Sequence, residues 1–357
     1  MEKIVTQKDI AQALHIGQMT VYRALHNKGN ISPELRERIL AYADEVGYQA
    51  NRAAQTLVQK RITRIAIFST DTPRFFWDSV ESGIGLAKEQ VKHFNYSVEY
   101  YRIGNKNTPK YLSTLKDVIT EGVDAVGLVN NEEYDMTAIF RVLDDAQVPY
   151  ILFNIDAKES HRLCYIGPDY VGGGRLAAEF MGKCVAGTSK ILVITDDHTK
   201  QNISAEVNHL RIDGFMSVMK EKYPSIINIV QGVDLEQSPM DIESELKAIV
   251  NGSGQLFDAI YLVPPINQPL MRILAESKRP LPKVLLHDTF PGYKEFFARD
   301  MITAIIFQNP IQQGFYAVKV LEEMVETGFM PRDDIHLVQE VMLAENSDLD
   351  KNHLSFD

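Results

Sequence analysis

The sequence predicts two unlike parts in tandem: an all-α helix-turn-helix head with a short hinge helix, then an α/β domain of two lobes with mainly parallel sheets. Three observations carry that prediction. A length of 357 residues exceeds what one hydrophobic core fills. The first sixty residues have helical periodicity throughout, and from about residue 62 short apolar runs alternate with amphipathic stretches. The charge is also segregated: residues 1–61 hold nine Lys/Arg against six Asp/Glu, leaving 28 against 42 in the remainder of a chain whose net charge is -11. A basic head on an acidic body lets the head approach phosphates while the body repels them.

Composition narrows the class further. Hydrophobic residues make up 45% and charged residues 24%, which excludes disordered and fibrous chains. Met1, Glu2 and Lys3 lead straight into polar helical sequence without the apolar stretch of a secretory signal. No segment approaches the roughly 20 apolar residues of a membrane helix, so no membrane partner is expected. Cys164 and Cys184 are too few for a disulfide framework and too far apart for a metal-binding pair. Cytoplasmic residence is the expectation.

In the head, Thr6 and Asp9 have the spacing of a helix cap and its reciprocal carboxylate, and Ile10, Ala13 and Leu14 follow at helical intervals. The pattern breaks near Leu14 to Gly17 and resumes with Val21 and Leu25. Ser32 before Pro33 starts a third helix, whose apolar face is Leu35, Ile39, Ala43 and Val46 and which ends at Gly47. Two short helices around a tight turn, closed by a third, make a helix-turn-helix, in which the second helix faces base edges in the DNA major groove. The residues after the head can form only about two helical turns. A helix that short is not stable alone in water and needs a partner to offset its ordering cost.

In the body, 64–69, 97–101, 125–129, 150–153, 191–195, 259–263, 284–286 and 303–307 read as strands, and 79–91, 111–120, 174–185 and 310–326 as helices. Such alternation gives parallel sheets with helices on both faces, and about 280 residues of it divide into two lobes with a cleft. Ligands of such sheets bind beyond the carboxyl ends of strands. Phe75-Phe76-Trp77, Asn154, Asp288 and Gln308-Asn309 all stand there. Aromatic faces with convergent carboxylate, amide and guanidinium groups suit a sugar, whose C–H faces stack and whose hydroxyls bond bidentately. The aromatics can equally be packing, Arg211 an ion-pair partner and Gln308 a strand-end cap.

Val5-Thr6, Asp9-Ile10-Ala11, Thr20-Val21, Arg23, Gly47-Tyr48 and Asn51-Arg52 through Leu57 resemble the headpiece of the lactose/galactose repressor family of transcriptional regulators. The resemblance implies a sequence-specific repressor of the cytoplasm, homodimeric on double-stranded operator DNA and controlled by a small sugar-like effector. It implies that Gln18, Met19 and Arg23 contact bases and that Thr6, Thr20, Tyr22, Asn30, Asn51 and Arg52 belong to the DNA-binding set. It also implies that Leu57 of the hinge helix wedges into the minor groove, where an apolar side chain kinks the duplex. The chain departs from the family pattern at His15-Ile16-Gly17, where Gly-Val-Ser is usual, and at Tyr22, His26 and Ala50, where serine, asparagine and proline are common.

The body resembles the periplasmic sugar-binding-protein fold (type I) that the family carries after its hinge. By that resemblance Phe76 and Trp77 stack on the ligand, Arg211 in Arg-x-x-Gly-Phe holds its hydroxyls, and Asp288 and Gln308 complete the clamp. Asn154 stands where aspartate is frequent. Val263-Pro264-Pro265 replaces an Asn-Asp pair, leaving Asn267 as the substitute. The expected organisation is head 1–49, hinge and linker 50–61, effector domain 62–345 and tail 346–357. The N-lobe is expected at about 62–168 and 309–331, and the C-lobe at about 169–308 and 332–345.

Other features fall away. Gly172-Gly173-Gly174 lacks dinucleotide spacing and has no Lys-Ser/Thr after it, and is expected to allow close helix-to-sheet packing. The adjacent pairs Asp144-Asp145, Asp196-Asp197 and Asp333-Asp334 project in different directions and are expected at solvated helix ends or loops. His161, His198 and His209 have no metal-ligand spacing, and His287 is either a ligand donor or a strand-end residue. No metal, cofactor or catalytic constellation is expected. A sugar-binding activator or co-repressor-dependent repressor is the alternative; a solute-binding protein or carbohydrate-acting enzyme fits less well. The tail shows no heptad run.

Overall fold

The computed structural model describes residues 7–25, 31–46, 62–104, 106–197, 202–252, 256–327 and 333–347. The head forms α1 (Gln7–Ala13), α2 (Gln18–Leu25) and α3 (Pro33–Glu45). Their apolar positions converge as the periodicity predicts: Ile10, Val21 and Ile39 are fully buried, with Ala11, Ala24 and Ala43 around them. Ser32 Oγ accepts the Leu35 N–H at 3.3 Å and caps α3. Arg38 of α3 donates to the Leu14 carbonyl at 3.2 Å, tying down the end of α1. The displaced turn glycine leaves His15 in the left-handed region, at φ 55, while the Gly17 carbonyl accepts the first amides of α2. The expected hinge helix, with Asn51, Arg52 and Leu57, lies outside the described residues, as do Thr6, Asn30 and the tail beyond residue 347.

The first lobe alternates β1 (Thr63–Ser69), α4 (Arg74–Val91), β2 (Tyr96–Arg102), α5 (Thr108–Thr120), β3 (Ala125–Leu128), α6 (Met136–Asp145), β4 (Tyr150–Phe153) and β5 (Tyr165–Pro168). The second runs α7 (Tyr170–Cys184), β6 (Lys190–Asp196), α8 (Ile203–Lys222), β7 (Ile227–Val233), α9 (Pro239–Asn251), β8 (Ala259–Leu262), α10 (Asn267–Glu276), β9 (Lys283–His287), α11 (Tyr293–Ala298) and β10 (Ala304–Phe307). The chain then returns through α12 (Pro310–Thr327) and β11 (Asp334–Leu337) to the first lobe, and ends on β12 (Glu340–Met342) in the second. One sheet has the order β11-β5-β4-β3-β1-β2 and the other β12-β10-β9-β8-β6-β7. Neighbours pair in parallel except β10 with β12. The chain therefore crosses between lobes three times.

The central strands β3, β4 and β8 are buried along their whole length, which is why they read as unbroken apolar runs. The last segment corrects the lobe boundaries. Residues 332–345 were expected in the C-lobe, but Asp334–Leu337 pair with β5 in the first sheet, and the crossing comes only before Glu340. β5, β7, β11 and β12 are strands that periodicity does not reveal. β7 and β11 are half-exposed edges without a continuous apolar face, so nothing in their composition demands burial.

Small residues set the helix pairs. A Cβ at Gly174 of α7 would collide with the Arg211 carbonyl of α8, and one at Gly214 with the Val171 carbonyl. Backbones in that contact hold α7 against α8. Of the triple glycine, Gly172 and Gly173 face the side chains of Asp169 and Gln339, and Gly174 serves this helix-to-helix contact rather than the helix-to-sheet packing expected. Gly83 of α4 and Gly314 of α12 do the same in the first lobe.

Candidate functional site

Between the lobes, at the carboxyl ends of both sheets, lies a cavity of about 200 Å³. That is below the roughly 300–1,000 Å³ of clefts for drug-sized ligands, and restricts the site to a small molecule. Its walls include six of the seven expected side chains: Phe76, Trp77, Asn154, Arg211, Asp288 and Gln308. A larger groove of about 810 Å³ lies on the flank between α6 and α8 and shares Asn154's neighbour Ile155, Tyr170 and Val207 with the cavity. It contains none of the expected residues. Its His161 and Asp144 satisfy each other at 2.9 Å, and Asp156 is held by Arg162.

The strand ends aim the polar groups. Asn154, Asp288 and Asn309, which follow β4, β9 and β10, all adopt left-handed backbone, with φ of 65, 57 and 49. Asn and Asp tolerate that region better than other non-glycine residues, and such strain concentrates at binding sites. Asp288 accepts the Gln308 backbone N–H at 3.4 Å and the Gln308 side-chain amide. Gln313 of α12 donates to the Gln308 carbonyl and accepts from Asn154 Nδ2, each at 2.9 Å. One amide chain thus connects Asp288 of the second lobe to Asn154 of the first. Burial pushes the Asp288 carboxyl above its usual range, opposed by Arg211 and by the Gln308 hydrogen bonds.

Arg211 is 5% exposed. Its guanidinium lies 5.2 Å from the centroid of the Tyr170 ring and donates weakly to Asn208 Oδ1 at 3.3 Å and the Val263 carbonyl at 3.4 Å. Its Nε has no partner among the described residues. A buried donor left open in a cavity wall points to a ligand acceptor, because leaving it unmade costs about 1–3 kcal/mol. Trp77 donates Nε1–H to the Thr72 carbonyl at 3.0 Å, and its ring meets Phe153 edge-on. Phe76 and Trp77 therefore belong to the packed core of the first lobe and also line the cavity. Phe75 is half-buried and packs against the cores of both lobes.

Asn267 departs from expectation. It does not line the cavity; its Nδ2 donates to the His287 and Asp288 carbonyls at 3.1 and 3.4 Å. It holds the backbone that presents Asp288, and Val263 and Pro265 form the wall on that side. His287 lines the cavity, with Nε2 2.7 Å from the Tyr261 hydroxyl; burial, and then Arg211, push it well below the usual imidazole range and keep it neutral.

Sequence reasoning missed four groups. Tyr170 donates its hydroxyl to the Asn154 carbonyl at 2.6 Å. Gln313 is fully buried and carries the amide chain. Glu132, from the loop after β3, accepts both the backbone N–H and the hydroxyl of Ser204, at 2.9 and 2.6 Å, and so caps α8 across the cleft. Asp196, expected at a solvated position, is only 4% exposed at the end of β6. Its place just after a buried strand was the signal available in the sequence.

In the head, Thr20 is half-buried and Arg23 exposed on α2, whose other side buries Val21 and Ala24. The side chains of Gln18, Met19 and Tyr22 lie outside the described residues. Among the described residues no group of acidic, His and Cys side chains could hold a metal, and no helix is long and apolar enough to cross a membrane. Cys164 and Cys184 are free thiols.

The models of two families match the chain: bacterial regulatory proteins of the lacI family at residues 6–51, and the periplasmic binding protein domain at residues 65–328. The chain belongs to the lacI family of regulators. The ribose operon repressor of Lactococcus lactis is 23% identical over 94% of this chain and 95% of its own. The regulator MalR of Staphylococcus xylosus is 42% identical over 64 residues, 18% of this chain and 19% of its own. Among solved structures, the arabinose-binding protein AraP of Geobacillus stearothermophilus superposes with a TM-score of 0.68 at 18% identity, covering 80% of this chain and 98% of its own. A lacI-type regulator of Bacteroides fragilis gives 0.66 at 17%, covering 81% and 99%. The lacI-family chain described here is thus a DNA-binding transcriptional regulator rather than an enzyme, with its helix-turn-helix ahead of a periplasmic-binding-protein fold.

Proposed function

We propose that this regulator is a cytoplasmic, homodimeric repressor that binds a neutral monosaccharide in the interlobe cavity and transmits its occupancy to operator DNA. The observation that carries the reading is the clamp itself: Arg211, Asp288, Gln308 and Asn154 converge on about 200 Å³ beside Phe76 and Trp77. A buried guanidinium and a half-buried carboxylate facing the same space match hydroxyls, which accept from the first and donate to the second. The similarity to a ribose repressor and to an arabinose-binding protein supports sugars of that size.

In this reading Gln18, Met19, Thr20, Tyr22 and Arg23 present α2 to base edges, while Thr6, Asn30, Asn51 and Arg52 contact the backbone or groove and Leu57 wedges between base steps. Two copies place their heads on two half-sites. Effector re-angles the lobes, and the hinges hold the heads at operator spacing in only one of the two states.

The test is a thermal-shift panel of D-ribose, D-xylose, D-arabinose, D-glucose and D-galactose on the full chain. It is followed by fluorescence anisotropy on an operator selected in vitro. One of the five is expected to raise the melting temperature and to change operator affinity. Silence across the panel, or binding without any change on DNA, would overturn the reading.

A further inference from the structure

We propose that Asp196 is a positioning residue that fixes the orientation of the Asn208 amide and, through it, aims the Arg211 guanidinium into the cavity. The proposal rests on the sugar-clamp reading of Arg211 given above. Asp196 does not line the cavity; it stands behind it, at the end of β6. Its Oδ1 accepts from Asn208 Nδ2 at 2.8 Å, and Asn208 Oδ1 in turn accepts from Arg211 Nη1 at 3.3 Å. All three residues are buried, with 4%, 3% and 5% of their surface exposed.

The chemistry of the three groups makes the relay directional. An ionised carboxylate only accepts hydrogen bonds, so the Asn208 NH₂ must face it and the Asn208 oxygen must face away. That oxygen then meets Arg211, which only donates. A neutral amide or a protonated acid at position 196 removes the constraint, because either can donate to the Asn208 oxygen. Asn208 is then free to flip, which sets its NH₂ against the guanidinium. Two donors facing each other push Arg211 away from its place in the wall.

The surroundings make Asp196 sensitive to pH. Burial is the largest effect on it and raises its carboxyl to about 6. The Asn208 hydrogen bond, His209 and Arg211 oppose the rise, and Glu132 adds to it. β7 brings Val233 beside it and the end of β8 brings Val263, both apolar, while Asp197 follows it in the chain. The relay is therefore set above pH 6 and released below it.

The sign for stability is the opposite of the sign for function. A carboxyl raised in the folded state costs stability as pH climbs from the unfolded value of about 4 towards the folded value. Asp196→Asn removes that cost. It is expected to raise the melting temperature of the effector domain at pH 7.5, and by only about half as much at pH 5, which lies midway between the unfolded and folded values. The same variant is expected to weaken sugar binding about tenfold at pH 7.5, the worth of one hydrogen bond to a charged group. A residue that merely supports the fold would lower both.

The experiment uses the full chain and two readouts. Calorimetric titration with whichever of D-ribose, D-xylose, D-arabinose, D-glucose or D-galactose binds is run from pH 5 to 8 on the wild type and on Asp196→Asn. The wild type is expected to lose affinity below about pH 6, and the variant to be weaker and to keep only the dependence that the raised carboxyl of Asp288 contributes. The second readout needs no sugar: the Arg211 Nε–H resonance, assigned by its absence in Arg211→Lys, is followed over the same range. A step in the wild type that vanishes in Asp196→Asn supports the relay even if all five sugars fail and the sugar reading falls. An identical resonance and pH profile in both proteins, or a lower melting temperature in the variant at pH 7.5, would overturn it.

Discussion

At the residue scale, the cavity depends on side chains that bond at strand ends in a backbone conformation few residues accept. Asp288 has φ 57, so asparagine can replace it without backbone strain and isolates the effect of charge. Asp288→Asn keeps the bond to the Gln308 N–H but loses the carboxylate. It is expected to weaken sugar binding by about 2–3 kcal/mol, on the order of a hundredfold, in calorimetric titration, with operator affinity unchanged. Retained affinity would move the clamp elsewhere. In the head, His15 occupies a left-handed turn position at φ 55 that glycine fills at lower cost. His15→Gly is expected to stabilise the head by about 0.5–1 kcal/mol, read as a higher melting temperature of the first unfolding step.

The same scale separates what the sequence reveals from what it conceals. Asn154, Asp288 and Gln308 were legible because the rule that ligands sit beyond strand carboxyl ends needs only the strand and the residue after it. Asn267 was placed by substitution for a missing pair, and its amide instead serves two backbone carbonyls. Asp196 shares the strand-end position yet was set aside, because an adjacent acidic pair usually marks solvated turns. Gln313 and Tyr170 lie on helices, and their partner Asn154 is 159 and 16 residues away in sequence. No local pattern connects such groups before the chain is folded.

At the scale of elements, a contact between two glycine-bearing helices places the guanidinium. Gly174 of α7 lies directly against the Arg211 carbonyl, so the backbone that carries this side chain is set by the neighbouring helix. Gly174→Ala adds one methyl where only backbone can yield. It is expected to cost about 1–3 kcal/mol of stability through overpacking, and to weaken sugar binding because α8 shifts with Arg211 on it. A control at Gly252, where a Cβ meets nothing within 4 Å, should change neither quantity. A Gly174→Ala protein that is destabilised but binds sugar as before would show that Arg211 is placed by its side-chain partners alone. Elements were legible where burial was complete and hidden where it was partial. β7 and β11 sit at sheet edges where neither face is fully covered, so neither an unbroken apolar run nor a clean apolar face marks them.

At the scale of the molecule, a site between two lobes controls DNA only if closure and operator geometry are coupled. Three chain crossings carry the lobes as hinges, and Glu132 reaches over the cleft to cap α8 at Ser204. A carboxylate on a helix N-terminus contributes about 0.3–1 kcal/mol at exposed positions, enough to bias an equilibrium between open and closed lobes by several-fold. Linkage demands that sugar change operator affinity by the same factor by which operator changes sugar affinity. Anisotropy titration of operator with and without saturating sugar, and sugar titration with and without operator, should therefore return one coupling factor for the wild type. Glu132→Ala removes that cap together with one group of the cavity wall, and leaves the head untouched. It is expected to lower sugar affinity two- to fivefold, as the loss of that cap implies, and to leave the affinity of the sugar-free protein for nonspecific DNA unchanged. Two unequal factors in the wild type would mean that the sugar acts on a step other than binding. An unchanged sugar affinity in Glu132→Ala would show that the cap does not hold the lobes together.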